Sequence, residues 1–283
     1  MLPGPTIAAT AVSVLMALTV RALVRHTQRM RTAERNHDVS SGDAATAARL
    51  AALLAAFRPG DDALGVSELA RRTGLPKTSV HRLSQHLTEH GLLEHDGTAL
   101  RLGLKLFEIG QLAVRQRGLV DTARPLLADL REATHNTVHL AVLEGVEVVY
   151  LDVLRGPDAP RLPSRIGGRF PAHATGVGKA ILAFSPDGVV DEVLSGGLPR
   201  ISRRTITSPA LLRRQLAKIR DEGTAYEREE SSIGTVCVAS PILDAAGHAV
   251  AAISVAGSVN RIRTERLAPA VRTTALALSR TLR

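Results

Sequence analysis

A short segment between residues 77 and 85 concentrates polar and cationic side chains on one side of a periodic pattern. Val80, Leu83 and Leu87 recur at the spacing of one helix face, which predicts that these three side chains pack against a core. The opposite face carries groups that form hydrogen bonds or carry charge: Lys77, Thr78, Ser79, His81, Arg82 and Gln85. Such groups bind phosphates and base edges in the major groove of DNA. The pattern therefore predicts a DNA recognition helix.

The flanking sequence predicts the elements that would position this helix. A preceding helix is expected from Ser67, as its N-cap, to Thr73, and Gly74 is expected to end it. Pro76 lies just before or at the first position of the recognition helix, where proline is tolerated. Asp96-Gly97 is typical of a turn between two short strands. Helix, turn, helix and hairpin in this order predict a winged helix-turn-helix that binds DNA; the alternative is a ligand-binding assembly module whose winged helix makes protein contacts.

The composition fits a nucleic-acid-binding protein with two compact domains. The 283 residues are 45% hydrophobic, which is enough for a core in each domain and excludes a disordered chain. The formal net charge of +9 at pH 7 favours a polyanionic partner, although a general arginine bias accounts for part of it. The single cysteine, Cys237, excludes an internal disulfide framework and favours a cytoplasmic location.

Residues 1–42 form an extension that is first apolar and then basic. The run from Ile7 to Val20 is uncharged, and five arginines follow it between residues 21 and 35. A bilayer span takes about 20 apolar residues, and a secretory signal carries its basic residues before the apolar run. Two interpretations stay open, a membrane anchor and a gene start placed too early, with translation from about Met30. We favour the second and predict no membrane partner.

The first compact domain is expected over residues 43–103. It adds an Ala- and Leu-rich helix, Asp43 to Phe57, to the winged helix-turn-helix, and this helix is a candidate for a dimer interface. An amphipathic pattern over residues 104–118 then predicts a linker helix. Gly118 is expected to separate the linker from a second amphipathic helix, Val120 to Thr134.

The second domain, residues 119–283, has the pattern of an α+β fold. Two pairs of β-rich runs, each joined by a turn that contains glycine, predict hairpins at residues 137–153 and 236–256. Helical patterns lie between and after the hairpins, at residues 178–184, 187–195, 209–222 and 264–283. Strand pairs framed by helices predict an antiparallel sheet flanked by helices.

Four sequence blocks in this order resemble the IclR family of bacterial transcription regulators, over about residues 45–283. The blocks are Leu75–Leu83, Leu100–Gly103 with Leu106–Gly110, Pro171–Ala180, and Gly223–Glu230 with Cys237, Ala239 and Pro241. The resemblance implies an N-terminal winged helix-turn-helix, a linker helix and a C-terminal GAF-like domain for effector binding and oligomerisation. It also implies a homodimer or homotetramer on a double-stranded DNA operator. The implied function is a regulator, a repressor rather than an activator, controlled by a small organic acid or aromatic effector.

Carried over from the family, the effector site would comprise Gly176, Val177, Glu227, Cys237 and Ser254. Physical chemistry supports an anion at the first two, because Thr175 to Gly178 is expected to open a helix whose N–H groups and dipole favour a carboxylate. The chain departs from the family pattern at three positions. Glu227 stands where Asp is common, Ala256 stands where Ser is frequent, and Thr224 stands where an aromatic residue is frequent. The effector of a relative is therefore not transferable to this chain.

No enzyme, metal or cofactor is predicted. Residues 173–180 resemble a phosphate-binding loop only superficially, because the first required glycine is His173 and Ala180 replaces the Ser or Thr. Lys179 is accordingly expected at the surface or at a helix start. Cys237 lies in an apolar β-run, so we expect a buried small residue and not a nucleophile with His173 as its base.

Two further groups of titratable residues have less specific patterns. His135 and His139 have a four-residue spacing that could suit a metal on a helix, but the strand periodicity around His139 argues against the pair. Glu227, Glu229 and Glu230 fit a solvated acidic turn as well as they fit a turn in which one carboxylate faces a ligand.

Overall fold

The computed structural model describes residues 43–157 and 162–282, and the chain divides into two compact units between Gln111 and Leu112. The extension over residues 1–42, with both interpretations of it, lies outside the described residues. Among the helices in these two ranges, none combines the length and the hydrophobicity that a bilayer span requires.

The first unit is the predicted winged helix-turn-helix. Its elements are helix α1 (residues 43–55), α2 (Val66–Thr73), α3 (Lys77–Glu89), strand β1 (Leu93–Asp96), β2 (Ala99–Leu102) and helix α4 (Leu104–Gln111). Gly74 ends α2 in the left-handed conformation, with φ of 71°, as predicted. The predicted N-cap was wrong: Gly65 precedes the helix without a side-chain cap, and Ser67 lies inside the first turn.

A small core holds these elements together. The buried side chains come from both helices of the helix-turn-helix motif, from α1 and from the hairpin: Leu53, Leu69, Val80, Leu83, Leu87, Leu93 and Leu100. The loop before α2 is fixed by Arg72, whose guanidinium donates to the carboxylates of Asp61 and Glu68 and to the carbonyl oxygen of Ala56. The orientation of α3 is therefore set by a continuous apolar core and one ion-pair network.

The amphipathic segment after the hairpin is interrupted earlier than predicted. Helix α4 ends at Gln111, and helix α5 (Val114–Thr134) runs through Gly118 without a break. A Cβ atom at Gly118 would meet nothing within 4 Å, so this glycine is not required by close packing. A single glycine inside a helix costs only about 0.5–1 kcal/mol relative to alanine, and the remaining turns of a long helix absorb that cost.

The second unit is a six-stranded antiparallel sheet with helices on both faces. The strands are β3 (Thr137–Glu144), β4 (Glu147–Leu154), β5 (Arg169–Pro171), β6 (Ala225–Arg228), β7 (Thr235–Leu243) and β8 (Ala249–Ser258), in the spatial order β5-β4-β3-β8-β7-β6. The helices that follow α5 are α6 (Gly176–Ala183), α7 (Asp187–Ser195), α8 (Pro209–Glu222) and α9 (Thr264–Thr281). Both predicted hairpins are confirmed, as β3–β4 and β7–β8.

Successive side chains of each central strand pack into two separate hydrophobic cores, one on each face of the sheet. In β7, Cys237 and Ala239 belong to the core beneath α6, α7 and α8, whereas Val238 and Ile242 belong to the core beneath α5 and α9. Because both faces of the central strands are covered, those strands are almost continuously hydrophobic. The sheet thus separates two helix layers, α6, α7 and α8 on one face and α5 and α9 on the other.

Candidate functional site

Helix α3 presents the predicted recognition residues to solvent. Pro76 precedes the helix, and Val80, Leu83 and Leu87 are buried on its inner face. Of the six predicted residues Ser79 is half-buried, and the other five are exposed: Lys77, Thr78, His81, Arg82 and Gln85. Among the described residues, neither Lys77 nor Arg82 forms an ion pair. The outer face of α3 therefore carries two free positive charges and several hydrogen-bonding groups.

The hairpin beside α3 is anchored at its base. Arg101 on β2 donates to the carboxylate of Glu94 on β1, and the same carboxylate accepts from the amide of Leu104 at the start of α4. The Leu104 amide, and next the Arg101 guanidinium, lower the pKa of Glu94. Gly97 occupies the turn with φ of 60°, which residues other than Gly, Asn and Asp rarely adopt. The hairpin has the form of a wing attached to α4.

The second unit contains a small cavity of about 40 Å³ beneath the start of α6. All five residues predicted for the effector site line it: Gly176, Val177, Glu227, Cys237 and Ser254. The sequence analysis missed further lining residues, which include His139, Tyr150, Ser164 and Phe170. These come from β3, β4, β5 and the segment before β5, so only the tertiary fold brings them to the cavity.

The start of α6 offers backbone donors at this cavity. The side chain of Thr175 caps the helix by accepting from the amide of Gly178 at 3.0 Å. The amides of Gly176 and Val177 have no acceptor within the helix, as is general for the first turn. A Cβ atom at Gly176 would lie 2.8 Å from Sγ of Cys237, and one at Gly178 would lie 2.1 Å from the carbonyl oxygen of Ala172. Both glycines therefore permit a close approach of backbone to neighbouring atoms.

Glu227 places a buried carboxyl group on the opposite side of the cavity. Its Oε1 atom accepts from the amides of Glu230 and Ser231, the second at 3.0 Å. Burial raises the pKa of Glu227 to about 7, against the lowering effect of the Ser231 amide; Glu230 raises the pKa further and Lys179 lowers it. At neutral pH this carboxyl group is therefore divided between its charged form and its neutral, proton-donating form.

Lys179 lies in the first turn of α6, one of the two places expected for it, but it is completely buried and not at the surface. Its Nζ atom donates to Oε1 of Glu230 at 2.6 Å, to the carbonyl oxygen of Tyr226 at 2.9 Å and to Oε1 of Gln215 at 3.1 Å. Three donors with three acceptors satisfy an ammonium group away from water. The buried ion pair attaches α6 to the turn that directly follows β6, the strand on which Glu227 lies.

The acidic turn is therefore not solvated, which excludes one of the two interpretations given above. Glu227, Glu229 and Glu230 are each at least 92% buried. Glu229 adopts φ of 60°, accepts from the amide of Gly234 at 2.9 Å and forms an ion pair with Arg204. Each carboxylate thus has its own structural partners, and only Glu227 lines the cavity.

His139 links two hydroxyl groups on the inner wall of the cavity. Its Nδ1 atom lies 3.2 Å from Oγ of Ser254, and its Nε2 atom lies 2.8 Å from Oγ of Ser164. Burial, and next the charge of Arg155, lower the pKa of His139 to about 3. The ring is therefore neutral at physiological pH, with one donating and one accepting nitrogen. Its ring centroid lies 5.1 Å from that of Tyr150, which completes an amphipathic wall.

The residues considered for catalysis or metal binding have structural surroundings that do not suit either role. Cys237 is buried as predicted, and burial raises the pKa of its thiol to about 12, so the thiolate nucleophile is not available at neutral pH. Nε2 of His173 lies 3.1 Å from the carbonyl oxygen of Pro199. His135 ends α5 in the left-handed conformation, and in the described ranges no group of three His, Cys, Asp or Glu residues is arranged to hold a metal.

Comparison with known sequences gives two family matches that together cover most of the chain. Residues 111–280 match the model described as bacterial transcriptional regulator IclR C-terminal, and residues 46–97 match the IclR helix-turn-helix domain. The HTH-type transcriptional regulator BhcR of Paracoccus denitrificans is 37% identical over 207 residues, which are 72% of this chain and 74% of BhcR. The transcriptional repressor IclR of Escherichia coli is 32% identical over 209 residues, 72% of this chain and 76% of that protein.

Solved structures show the same architecture. An IclR homolog from Microbacterium hydrocarbonoxydans, complexed with 4-hydroxybenzoate, is similar with a TM-score of 0.78 and 29% identity, over 84% of this chain and 98% of the other. The Thermotoga maritima IclR has a TM-score of 0.69 and 31% identity, over 86% of this chain and 99% of the other. The curated relatives are transcriptional regulators and not enzymes, in agreement with the sequence analysis.

Proposed function

Because the chain belongs to the IclR family of bacterial transcriptional regulators, we propose that it is a cytoplasmic repressor whose affinity for its DNA operator is controlled by a small organic acid. The observation that carries the proposal is the cavity: residues from four separate segments, chosen from the sequence, line one space with two backbone donors and a carboxyl group. The Escherichia coli relative is named a repressor, and the Microbacterium relative holds a carboxylate ligand.

The outer face of α3 is proposed to enter the major groove of the operator. Lys77 and Arg82 supply charge for phosphates or for the edge of a guanine, and Gln85 suits an adenine edge. Because Lys77 and Arg82 have no ion pair within the described residues, DNA binding does not require an intramolecular ion pair to break first. Because such contacts release counterions from DNA, the affinity should fall steeply as salt rises.

The size of the cavity favours a small aliphatic acid over an aromatic one. A cavity near 150 Å³ accommodates benzene, whereas the space here is about 40 Å³. An aromatic acid would have to displace Tyr150 or Phe170, which form part of the wall. We propose that the effector carboxylate accepts from the amides of Gly176 and Val177, and that neutral Glu227 donates to its other end. Effector binding would then shift the population of two dimer arrangements that differ in operator affinity.

Footprinting of the chain's own upstream region tests this function. The full chain is titrated onto the DNA across a salt series, without and with short aliphatic acids from acetate to succinate and with 4-hydroxybenzoate. We expect a protected, palindromic site that is lost at high salt and whose occupancy changes with one aliphatic acid. The absence of protection at every salt concentration would instead support the module whose winged helix makes protein contacts.

Replacing Glu227 with glutamine should remove the pH dependence of effector binding. In the unchanged protein, the affinity for the active acid should fall about tenfold per pH unit above pH 7, because the deprotonated carboxylate loses its donor and repels the ligand. Glutamine keeps a donor and carries no charge, so the affinity should stay flat between pH 6 and 8.5. Titration calorimetry across this range measures the effect.

The matched control is Glu222→Gln, which removes an exposed carboxylate at the end of α8. This variant should keep the pH profile of the unchanged protein. A profile that is the same in all three proteins would show that another group titrates, and Glu227 would then have only a structural role. Operator affinity without effector should be unchanged in both variants.

Helix α4 is proposed to form part of a homodimer interface. Its apolar side chains are unusually exposed: Leu104 and Phe107 are each 64% exposed, and Ile109 is 50% exposed. Leu104 and Phe107 are three residues apart and therefore share one face of α4, and contiguous exposed apolar residues mark interaction surfaces in soluble proteins. A second copy of the chain is the partner that a regulator of a palindromic operator requires.

Replacing Phe107 with glutamate should therefore weaken the dimer at least about tenfold, since a buried unpaired charge costs more than 1.4 kcal/mol. Gln111→Glu adds the same charge at another exposed position of α4 and should have a smaller effect. Size-exclusion chromatography with light scattering over a dilution series measures the dissociation. An unchanged molar mass for Phe107→Glu would place the dimer interface elsewhere.

A further inference from the structure

A second polar cleft, of about 390 Å³, lies beside the start of α9. It is separated from the effector cavity by the β6–β7 pair. Glu227 and Cys237 are paired across these strands and line the cavity. In the next pair, Arg228 lines the cleft and not the cavity, whereas Val236 borders both spaces. Successive side chains of a strand point to opposite faces, so the cleft opens on the other side of the sheet.

Three arginines line this cleft: Arg228, Arg261 and Arg263. All three are exposed, and none of them forms an ion pair with a described carboxylate. Glu265 is the single acidic residue among those that line the cleft. Glu265 also borders the neighbouring groove, where the pKa of Tyr226 is raised by burial, by Glu222 and then by Glu265. The cleft thus retains an excess of positive charge.

The arginines surround the positive end of a helix dipole. Helix α9 is 18 residues long and begins after Arg263, which is extended and provides no side-chain cap. The first amides of the helix lack intrahelical acceptors, and this end of a helix attracts anions and repels cations. Three cations at this position are unfavourable for the protein alone, and a bound anion would reverse that effect.

Thr264 gives an independent indication of a ligand. The residue is 93% buried and lines the cleft, yet its hydroxyl group has no hydrogen-bond partner among the described residues. The hydroxyl oxygen itself stays accessible from the cleft, so an acceptor that enters the cleft can reach it. An anion held by the arginines would supply the missing acceptor.

We propose that this cleft binds the phosphoryl group of a small metabolite. Guanidinium groups match phosphate oxygens with paired hydrogen bonds, and a helix N-terminus adds backbone donors. The volume falls within the range of small-molecule sites, about 300–1,000 Å³, so the cleft has room for an organic group beyond the phosphate. The proposal is independent of the effector cavity and of the identity of its acid.

Titration calorimetry of the full chain tests the cleft, with glycerol 3-phosphate and inorganic phosphate as probes at constant ionic strength. We expect saturable binding below the millimolar range for the organic phosphate and weaker binding of inorganic phosphate. Loss of one charge-assisted contact weakens binding about tenfold or more. Arg263→Gln and Arg228→Gln should each have this effect, and Thr264→Val a smaller one.

Arg280→Gln is the matched control, because it removes an exposed arginine from the last turn of the same helix. Its affinity for both probes should stay within about twofold of that of the unchanged protein. Tighter binding of inorganic phosphate than of the organic phosphate would overturn the metabolite assignment. Absence of saturable binding would overturn the site itself. Binding that persists in the double variant Arg228→Gln, Arg263→Gln would also overturn it, and would place the phosphate at the recognition helix instead.

Discussion

Replacing Arg82 with alanine is expected to weaken operator binding by about 10- to 100-fold, because a good arginine contact to a base edge contributes about 1–3 kcal/mol. Arg82 is exposed on the outer face of α3 and forms no ion pair within the described residues. The substitution should therefore leave the fold intact. Electrophoretic mobility shift at a fixed salt concentration, with the thermal unfolding midpoint measured in parallel, determines both effects.

Two further variants separate base recognition from charge. Arg82→Lys keeps the positive charge but loses the paired donors, so it should lower affinity for the operator more than for unrelated DNA. Arg214→Ala removes an exposed arginine from α8, in the other unit, and should change affinity less than twofold. Equal losses for operator and unrelated DNA in Arg82→Ala would assign this side chain to the phosphate backbone instead.

The architecture follows largely from local signals in the sequence. Gly74 ends α2 in the left-handed conformation, which glycine adopts without a steric cost, and Asp96-Gly97 closes a hairpin of two paired four-residue strands. The predicted limits of α7 and α8 agree with the structure, since a proline or a Ser-Pro pair marks each start. Strands β5 and β6, of three and four residues, are too short to give a periodic pattern.

The details of the candidate site depend on contacts between distant residues. Lys179 follows a glycine-rich helix start, which in the sequence is compatible with exposure; its burial depends on Gln215, Tyr226 and Glu230, which lie 36 to 51 residues away. His139 reaches the cavity only because β8 and the segment before β5 bring serines to both of its nitrogens. The five effector residues were identified by resemblance to a family, and spacing alone would not have identified them.

Replacing Lys179 with methionine should lower the free energy of unfolding by about 3–5 kcal/mol, the typical cost of leaving one partner of a buried ion pair alone. Methionine preserves most of the volume, so a cavity is a minor part of the effect. Oε2 of Glu230 already lacks a hydrogen-bond partner, and loss of Lys179 would leave the whole carboxylate without a counter-charge. Urea denaturation at pH 7 measures the change. Lys218→Met removes an exposed lysine on α8 and should cost less than about 1 kcal/mol.

A double-mutant cycle decides whether the pairing with Glu230 is the cause. If it is, Lys179→Met in a Glu230→Gln background should cost at least about 2 kcal/mol less than in the unchanged protein, because the remaining side chains are then neutral. Gln215 and the carbonyl oxygen of Tyr226 would still lose their donor, so recovery should be incomplete. Additive losses would instead show that Lys179 stabilises α6 mainly through these two neutral acceptors. In that case Glu227 would be held by its amide contacts alone, and the ion pair would have no part in shaping the effector cavity.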